Sequence, residues 1–529
     1  MATVTLTIDG QTVTVPAGTT VIEAAKTIGI DIPRYCYHPG LSVAGNCRIC
    51  LVEVEKMPKL TTSCSTVAAE GMVVHTKNAR VKEATRGVLE LMLTNHPIDC
   101  PVCDQAGECK LQDYYMEVGR HKSHFTYEKT HKPKVVELPP HLMFDGERCI
   151  LCTRCVRFCD EITKTHDLGL IQRGTHTEID TFHHRGVDNG YTGNLHEICP
   201  VGALLSKDFR FKKRVWWLKP HKSVCPHCST GCNIFVDESD GEVSDSARGR
   251  TRTSTSIGSA TKAAINTNSS TPKTAFAAPR TKGSNGTPMA WDAILHGVAE
   301  RLTKAAQGDG RVVGIASPWL TNEELFLFRR LLTAAGHADV DFRLDDSHTK
   351  TTVREDDVLK RADKNPNNSG AALLGLRGTK DARTLLNEVV ETGASLLYVL
   401  DAHRYETLGL ADALRSAAAK AGYVVMHATH DCAVLEAADV VLATPTFAEK
   451  DGTLTNYENR VQRLRRAIRP RHDSRTDLEI FVKLLTLAGA DVPPIVSASE
   501  AFNWMAAQVP ALSGLTFGGL PEQGVVVKP

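Results

Sequence analysis

The sequence predicts a multidomain α+β chain: small cysteine-bearing domains first, then a linker, then an α/β domain. Three observations predict it. At 529 residues the chain is too long for one hydrophobic core, so three or four domains are expected. Fifteen of its 16 cysteines lie between Cys36 and Cys232, and only Cys432 follows. From about residue 288, strand-like and helix-like segments alternate, which argues a parallel sheet covered by helices.

Composition narrows the function. The chain is 42% hydrophobic and 23% charged, as ordinary globular proteins are. A net charge of +1 gives no general reason to expect nucleic acid or an anionic membrane as partner. No apolar run is long enough to span a bilayer. The opening MATVTLTIDGQ has the features of neither a signal peptide nor a transit peptide, so a cytoplasmic compartment is expected. Clustered cysteines in a reducing compartment point to metal or redox chemistry rather than to a disulfide framework.

The elements follow in order. TVTLTIDGQTVTVP alternates apolar and polar residues around Asp9-Gly10 and reads as a β-hairpin. TTVIEAAKTIGI puts Val21, Ile22, Ala25 and Ile28 on one helical face, with Thr19 or Thr20 as N-cap. Hairpin, helix and a cysteine-bearing loop suggest a β-grasp domain. ARVKEATRGVLELMLTNHP reads as a helix that stops at His96-Pro97, because proline disfavours a helical residue before it. From about Ser254 to Gly286, many Ser, Thr, Asn and Gly and few large apolar residues predict a flexible linker. The later segments RVVGIASP, SLLYVLDAH, YVVMHATH and ADVVLATPT read as strands. No GxGxxG or GxxxxGK[ST] opens the helices between them, so nucleotide binding has little support there.

Four groups of thiols carry the chemistry. Cys36, Cys47, Cys50 and Cys64 resemble a plant-type [2Fe–2S] arrangement with a longer first gap. His96, Cys100, Cys103 and Cys109 form a Cys₃His set that suits zinc on local spacing. Cys149, Cys152 and Cys155, with a remote Cys199-Pro200, have the spacing of a [4Fe–4S] site. Cys225, Cys228 and Cys232 form a fourth group with no following cysteine until Cys432. Redox-inert zinc has no place in a chain of electron carriers, so the His96 set is expected to hold a [4Fe–4S] cluster with one imidazole ligand. Cys159 and Cys432 read as packed free thiols.

The order CX10CX2CX13C, HX3CX2CX5C, CX2CX2CX43C and CX2CX3C resembles the large iron–sulfur subunit of bacterial complex I, the NADH:quinone oxidoreductase. VAGNCRICLVEVE, HPIDCPVCDQAGECKLQD, CILCTRCVRFCDEI and CPVGALLSKDFRFK carry the resemblance over residues 1–235. EAADVVLATPTFAEKDGTLTNYENRVQRL carries it more weakly, as a molybdopterin-oxidoreductase-like tail. The resemblance implies a subunit of an oxidoreductase with no substrate pocket of its own. Electrons would pass from a flavin subunit through the Cys36 set, then the Cys149 set, with the His96 set leading toward the quinone side. The implied cofactors are one [2Fe–2S] and two [4Fe–4S] clusters, with no molybdenum cofactor. The implied partners are the flavin/NADH-binding and quinone-side iron–sulfur subunits, with the membrane arm indirectly and no nucleic acid. The implied location is peripheral, on the cytoplasmic side of the bacterial inner membrane.

The expected domains are 1–80 ([2Fe–2S] β-grasp), 81–125 (His/Cys [4Fe–4S]), 126–218 ([4Fe–4S] ferredoxin-like), 219–240 (three-cysteine remnant), 241–287 (linker) and 288–529 (α/β). Cys225, Cys228 and Cys232 lack the family's fourth cysteine and are expected to be vestigial. The rival is the diaphorase iron–sulfur subunit of an NAD-linked hydrogenase or a formate dehydrogenase, and no further cysteine motif or tail metal ligand favours either enzyme itself. The run FRFKKRVWW, with Arg210, Lys212, Lys213 and Arg214, is expected to be a solvated face or subunit contact rather than a nucleic-acid site.

Overall fold

The computed structural model describes residues 2–120, 122–245, 278–282, 289–307, 310–336, 338–344, 349–350 and 352–529. Contacts divide the chain into two units, Met1–Leu218 and Lys219–Pro529.

In the first unit, Thr3–Ile8 and Gln11–Pro16 form the expected hairpin, with Ile8 paired to Gln11 across the turn. Asp9 and Gly10 both adopt positive φ, 47° and 83°, as a two-residue turn matched to strand twist requires. Thr3–Ile8 also runs parallel to Val73–His75, which pairs with Leu51–Val54, and that strand with Thr61–Thr62. The helix Val21–Thr27 buries Val21, Ile22, Ala24 and Ala25 against this sheet. Thr20 occupies its N-cap, but the hydroxyl is buried without a partner and makes no capping bond. A second helix, Ala79–Leu93, is capped by the Asn78 side chain accepting from the Val81 N–H. It ends three residues before His96, earlier than Pro97 requires. A small sheet of Leu204–Ser206, Leu142–Phe144 and Val136–Leu138 supports the loops around Cys149 and Cys199.

The second unit starts with a three-stranded antiparallel sheet, Lys219–Val224, Asn233–Ser239 and Glu242–Asp245. Its first turn carries Cys225, Cys228 and Cys232. The segment 241–287, expected as a linker, therefore begins in a strand. Near its other end Arg280–Thr281 pairs with Val440–Ala443. Most of the expected linker, residues 246–277 and 283–287, lies outside the described residues. The α/β part has parallel strands Val312–Ile315, Ala338–Asp341, Leu396–Val399, Val424–Ala428 and Val440–Ala443. The first of these lies between the second and third, with the fourth and fifth beyond, which is a doubly wound order. All four residues of Val312–Ile315 and of Leu396–Val399 are buried, as strands covered on both faces must be.

Candidate iron–sulfur sites

Three thiol sets come together in the first unit, each on loops that turn backbone N–H groups toward sulfur. In the first, the Cys36 N–H donates to Cys47 Sγ at 3.4 Å. The Cys36 thiol is held down at about 5 by its hydrogen bond with Cys47, and Cys50 at about 7 by its bond with Cys64. Cys47 and Cys64 are pushed up in turn, because each carries the shared proton. Arg48, inside the Cys47–Cys50 turn, takes a left-handed φ of 59°.

In the third set, Leu151 and Thr153 adopt φ of 51° and 61°, conformations that residues with a Cβ rarely take. They close the Cys149–Cys152–Cys155 turn and bring the Leu151 N–H to 3.4 Å from Cys149 Sγ. Cys199 receives N–H groups from Val201, Ala203 and Leu204, though burial still raises it. Cys149, Cys152, Cys155 and Cys199 line one enclosed chamber with Phe144 and Ile179.

His96, Cys100, Cys103 and Cys109 line a cavity of about 830 Å³. Among the described residues, no three His, Cys, Asp or Glu side chains close on a point that could hold a single metal ion. Burial lowers His96 to about 4, so its imidazole is neutral near pH 7, and its Nδ1 is buried with no hydrogen-bond partner. A neutral ring with an orphaned nitrogen is chemically ready to be a ligand. Lys129 holds this segment by donating to the carbonyls of Leu93 and His96. Thr130 N–H donates to Asn95 Oδ1 at 3.0 Å.

Sequence reasoning missed the residues that join the sets. Arg157 donates to the Cys36 carbonyl at 2.6 Å and to the Cys152 carbonyl at 3.3 Å. Arg154 donates to the carbonyls of Tyr37 at 2.6 Å and Ile198 at 3.2 Å. Arg148, beside Cys149, forms a two-pronged pair with Asp99, beside Cys100, at 2.9 and 2.6 Å. Gly202, three residues after Cys199, approaches Cys103 Sγ so closely that a methyl group there would overlap the sulfur. The basic run also has a defined local role. Arg214 donates to the carbonyls of Cys103 and Pro101, and the Phe211 N–H donates to Asp104 at 3.0 Å. That segment clasps the Cys100–Cys109 loop, with Trp216 packed on Gly107.

Cys225, Cys228 and Cys232 are also close together. Cys225 and Cys232 pack among Ile234, Val236, Ala448 and Ile468, and burial raises Cys225 to about 12. Cys228 Sγ lies 3.3 Å from Thr230 Oγ1. Residues 246–277, where a fourth ligand would follow, lie outside the described residues. Cys432 is half-buried just before the short helical turn Ala433–Ala437, and burial raises it to about 11. Cys159 is fully buried.

Family models match this arrangement. Residues 1–79 match the 2Fe-2S iron-sulfur cluster binding domain, and 86–124 the NADH-ubiquinone oxidoreductase-G iron-sulfur binding region. Residues 139–205 match the ferredoxin-like domain of NADH-quinone oxidoreductase subunit 3. Residues 218–260 match the molybdopterin oxidoreductase Fe4S4 domain, and 365–487 the molybdopterin oxidoreductase family. The chain is thus a multidomain protein with iron–sulfur-binding domains of both the two-iron and four-iron kinds.

Relatives agree. The G subunit of NADH-quinone oxidoreductase from Rickettsia bellii is 45% identical over 238 residues, 45% of this chain and 35% of the relative. The mitochondrial NADH-ubiquinone oxidoreductase 78 kDa subunit of Candida albicans is 37% identical over 353 residues, 64% of this chain and 47% of the relative. Among solved structures, an NAD+-reducing [NiFe]-hydrogenase in the H2-reduced state matches with a TM-score of 0.37 and 31% identity, over 40% of this chain and 92% of that one. The matched stretch spans between a third and a half of the length of these two curated relatives. Over its iron–sulfur domains, the chain is similar to the large iron–sulfur subunit of complex I, the NADH-quinone oxidoreductase.

Proposed function

We propose that this chain is an electron-transfer subunit of an NADH:quinone oxidoreductase. It would relay electrons from a flavin-bearing, NADH-binding subunit toward quinone-side iron–sulfur subunits, as a peripheral subunit on the cytoplasmic face of a bacterial inner membrane. No helix among the described residues is long and apolar enough to cross a membrane. The proposed ligands are Cys36, Cys47, Cys50 and Cys64 for one [2Fe–2S] cluster. His96, Cys100, Cys103 and Cys109, and Cys149, Cys152, Cys155 and Cys199, would each hold one [4Fe–4S] cluster.

The observation that carries this reading is the contiguity of the three sets. Arg154 and Arg157 tie the first to the third, and Arg148 and Gly202 tie the third to the second. Bound clusters would supply reversible one-electron chemistry. The chain's own work is to hold the ligands, exclude water and set local charge. Three N–H groups aimed at Cys199 stabilise its thiolate form. Neutral His96 in place of a thiolate makes its site less negative by one charge, which favours the reduced state. Cys225, Cys228 and Cys232 are read as a degenerate site. The α/β part is read as a packing domain without a molybdenum cofactor.

Low-temperature paramagnetic spectra of the reduced protein test this. One two-iron and two four-iron signals are expected, with His96→Ala perturbing a single four-iron signal. A colourless, zinc-loaded protein would sink the reading. Co-purifying membrane subunits are expected, whereas nickel subunits would point to the hydrogenase instead.

A further inference from the structure

Arg154 and Arg157 differ from Arg148 in one respect. Arg148 is neutralised where it lies, with Asp99 in a two-pronged pair and Asp145 at 3.4 Å. Arg154 has only the carbonyls of Tyr37 and Ile198 as hydrogen-bond acceptors, and its Nε is buried with no partner. Arg157 binds the carbonyls of Cys36, Ser42 and Cys152 and, at 3.3 Å, Thr153 Oγ1. The nearby Glu161 carboxylate is engaged by the Ser42 N–H and hydroxyl instead. Among the described residues, no carboxylate forms an ion pair with either arginine.

A guanidinium stays charged at any physiological pH. Arg154 and Arg157 are both half-buried, and holding such a charge even partly out of water, without an anion, is costly. Here the groups that surround the two guanidinium ions are the loops of the first and third thiol sets, whose Cys36 and Cys152 carbonyls accept from Arg157 and whose Tyr37 and Ile198 carbonyls accept from Arg154. Thiols of these two sets, deprotonated as metal binding requires, would supply the counter-charge that no carboxylate supplies.

We propose that Arg154 and Arg157 are positioning residues for electron transfer, their uncompensated charges raising the reduction potential of the four-iron group on Cys149, Cys152, Cys155 and Cys199. The inference rests on the reading that this set binds such a cluster. A positive charge stabilises the added electron, and the hydrogen-bonded fork keeps that charge between the first and third sets.

The test is a redox titration of the intact purified complex, following the four-iron signal that His96→Ala leaves unchanged. In Arg154→Gln, with iron content unchanged, that signal should titrate lower by about tenfold or more in its reduction equilibrium, about 59 mV for one electron. Arg154→Lys, which keeps the charge, should stay within that limit, and Arg157→Gln should shift in the same direction as Arg154→Gln. An unchanged potential in the glutamine variants at full iron content overturns the proposal. If Arg154→Gln loses iron, Arg157→Gln supplies the measurement; loss in both marks the pair as scaffold alone and also overturns it. A wild-type complex lacking the signal would defeat the cluster assignment itself, which is a different failure.

Discussion

Gly202 shows how little room the sites leave. It follows the Cys199-Pro200 segment, and its missing side chain is what lets the backbone lie against Cys103 Sγ, with Gln105 Cβ next nearest at 3.1 Å to an added methyl. Gly202→Ala should therefore push Cys103 or the Cys199 loop out of place. Iron analysis of the purified variant should show the loss of one four-iron complement, and full iron content would refute the close approach. The cysteines were legible because ligand chemistry restricts which residues can stand at those spacings. The arginines were not. In RCVRFC, Arg154 and Arg157 look like an ordinary exposed face, and only the fold shows that they reach the carbonyls of Tyr37 and Cys36.

Among elements, the hairpin and the parallel strands were readable because a period of two and buried apolar runs leave few alternatives. The end of Ala79–Leu93 was misplaced, since Lys129 takes the carbonyls of Leu93 and His96 from 33 or more residues away in sequence. The doubly wound sheet is locked to its neighbours by charges that sequence could not pair. Lys450 donates to Glu324 at 2.8 Å and Asp477 at 3.4 Å, and Asp477 also meets His427 at 2.7 Å, all of them buried. Burial by itself would raise the Asp477 carboxyl, but Lys450 and His427 outweigh it and hold it below the usual range. Removing the cation leaves two carboxylates buried without their partner. Lys450→Met should cost roughly 3–5 kcal/mol, measured as the denaturant midpoint of the second unit in the intact chain. A change under about 1 kcal/mol, the worth of a surface pair, would show that water reaches the site.

For the whole molecule, the fourth group of thiols decides the cofactor count. Cys225 and Cys232 pack in an apolar cluster, and the Cys225 N–H donates to the Cys232 carbonyl at 2.8 Å. Ser229, beside Cys228, has a buried hydroxyl without a partner, but as a chain neighbour it makes a poor fourth corner. The proposed one two-iron and two four-iron centres would total about 10 irons per chain. That number should be the same when Cys225, Cys228 and Cys232 are all changed to serine. A loss of three or four irons in the triple variant would show a fourth cluster and end the vestigial reading.

The sequence by itself determined the fold class and a resemblance to a known family. Thiol spacing, one histidine at the head of a three-cysteine run, and alternating segments after residue 288 were enough for both, because each is a short-range pattern with few physical alternatives. Tertiary structure alone decided how the sets are joined. The bonds from Arg157 to Cys36, from Arg148 to Asp99 and from Arg214 to Cys103 span 49 to 121 residues of sequence. No local pattern records such contacts, since an arginine's partner depends on which distant backbone carbonyls and carboxylates the fold brings within its reach.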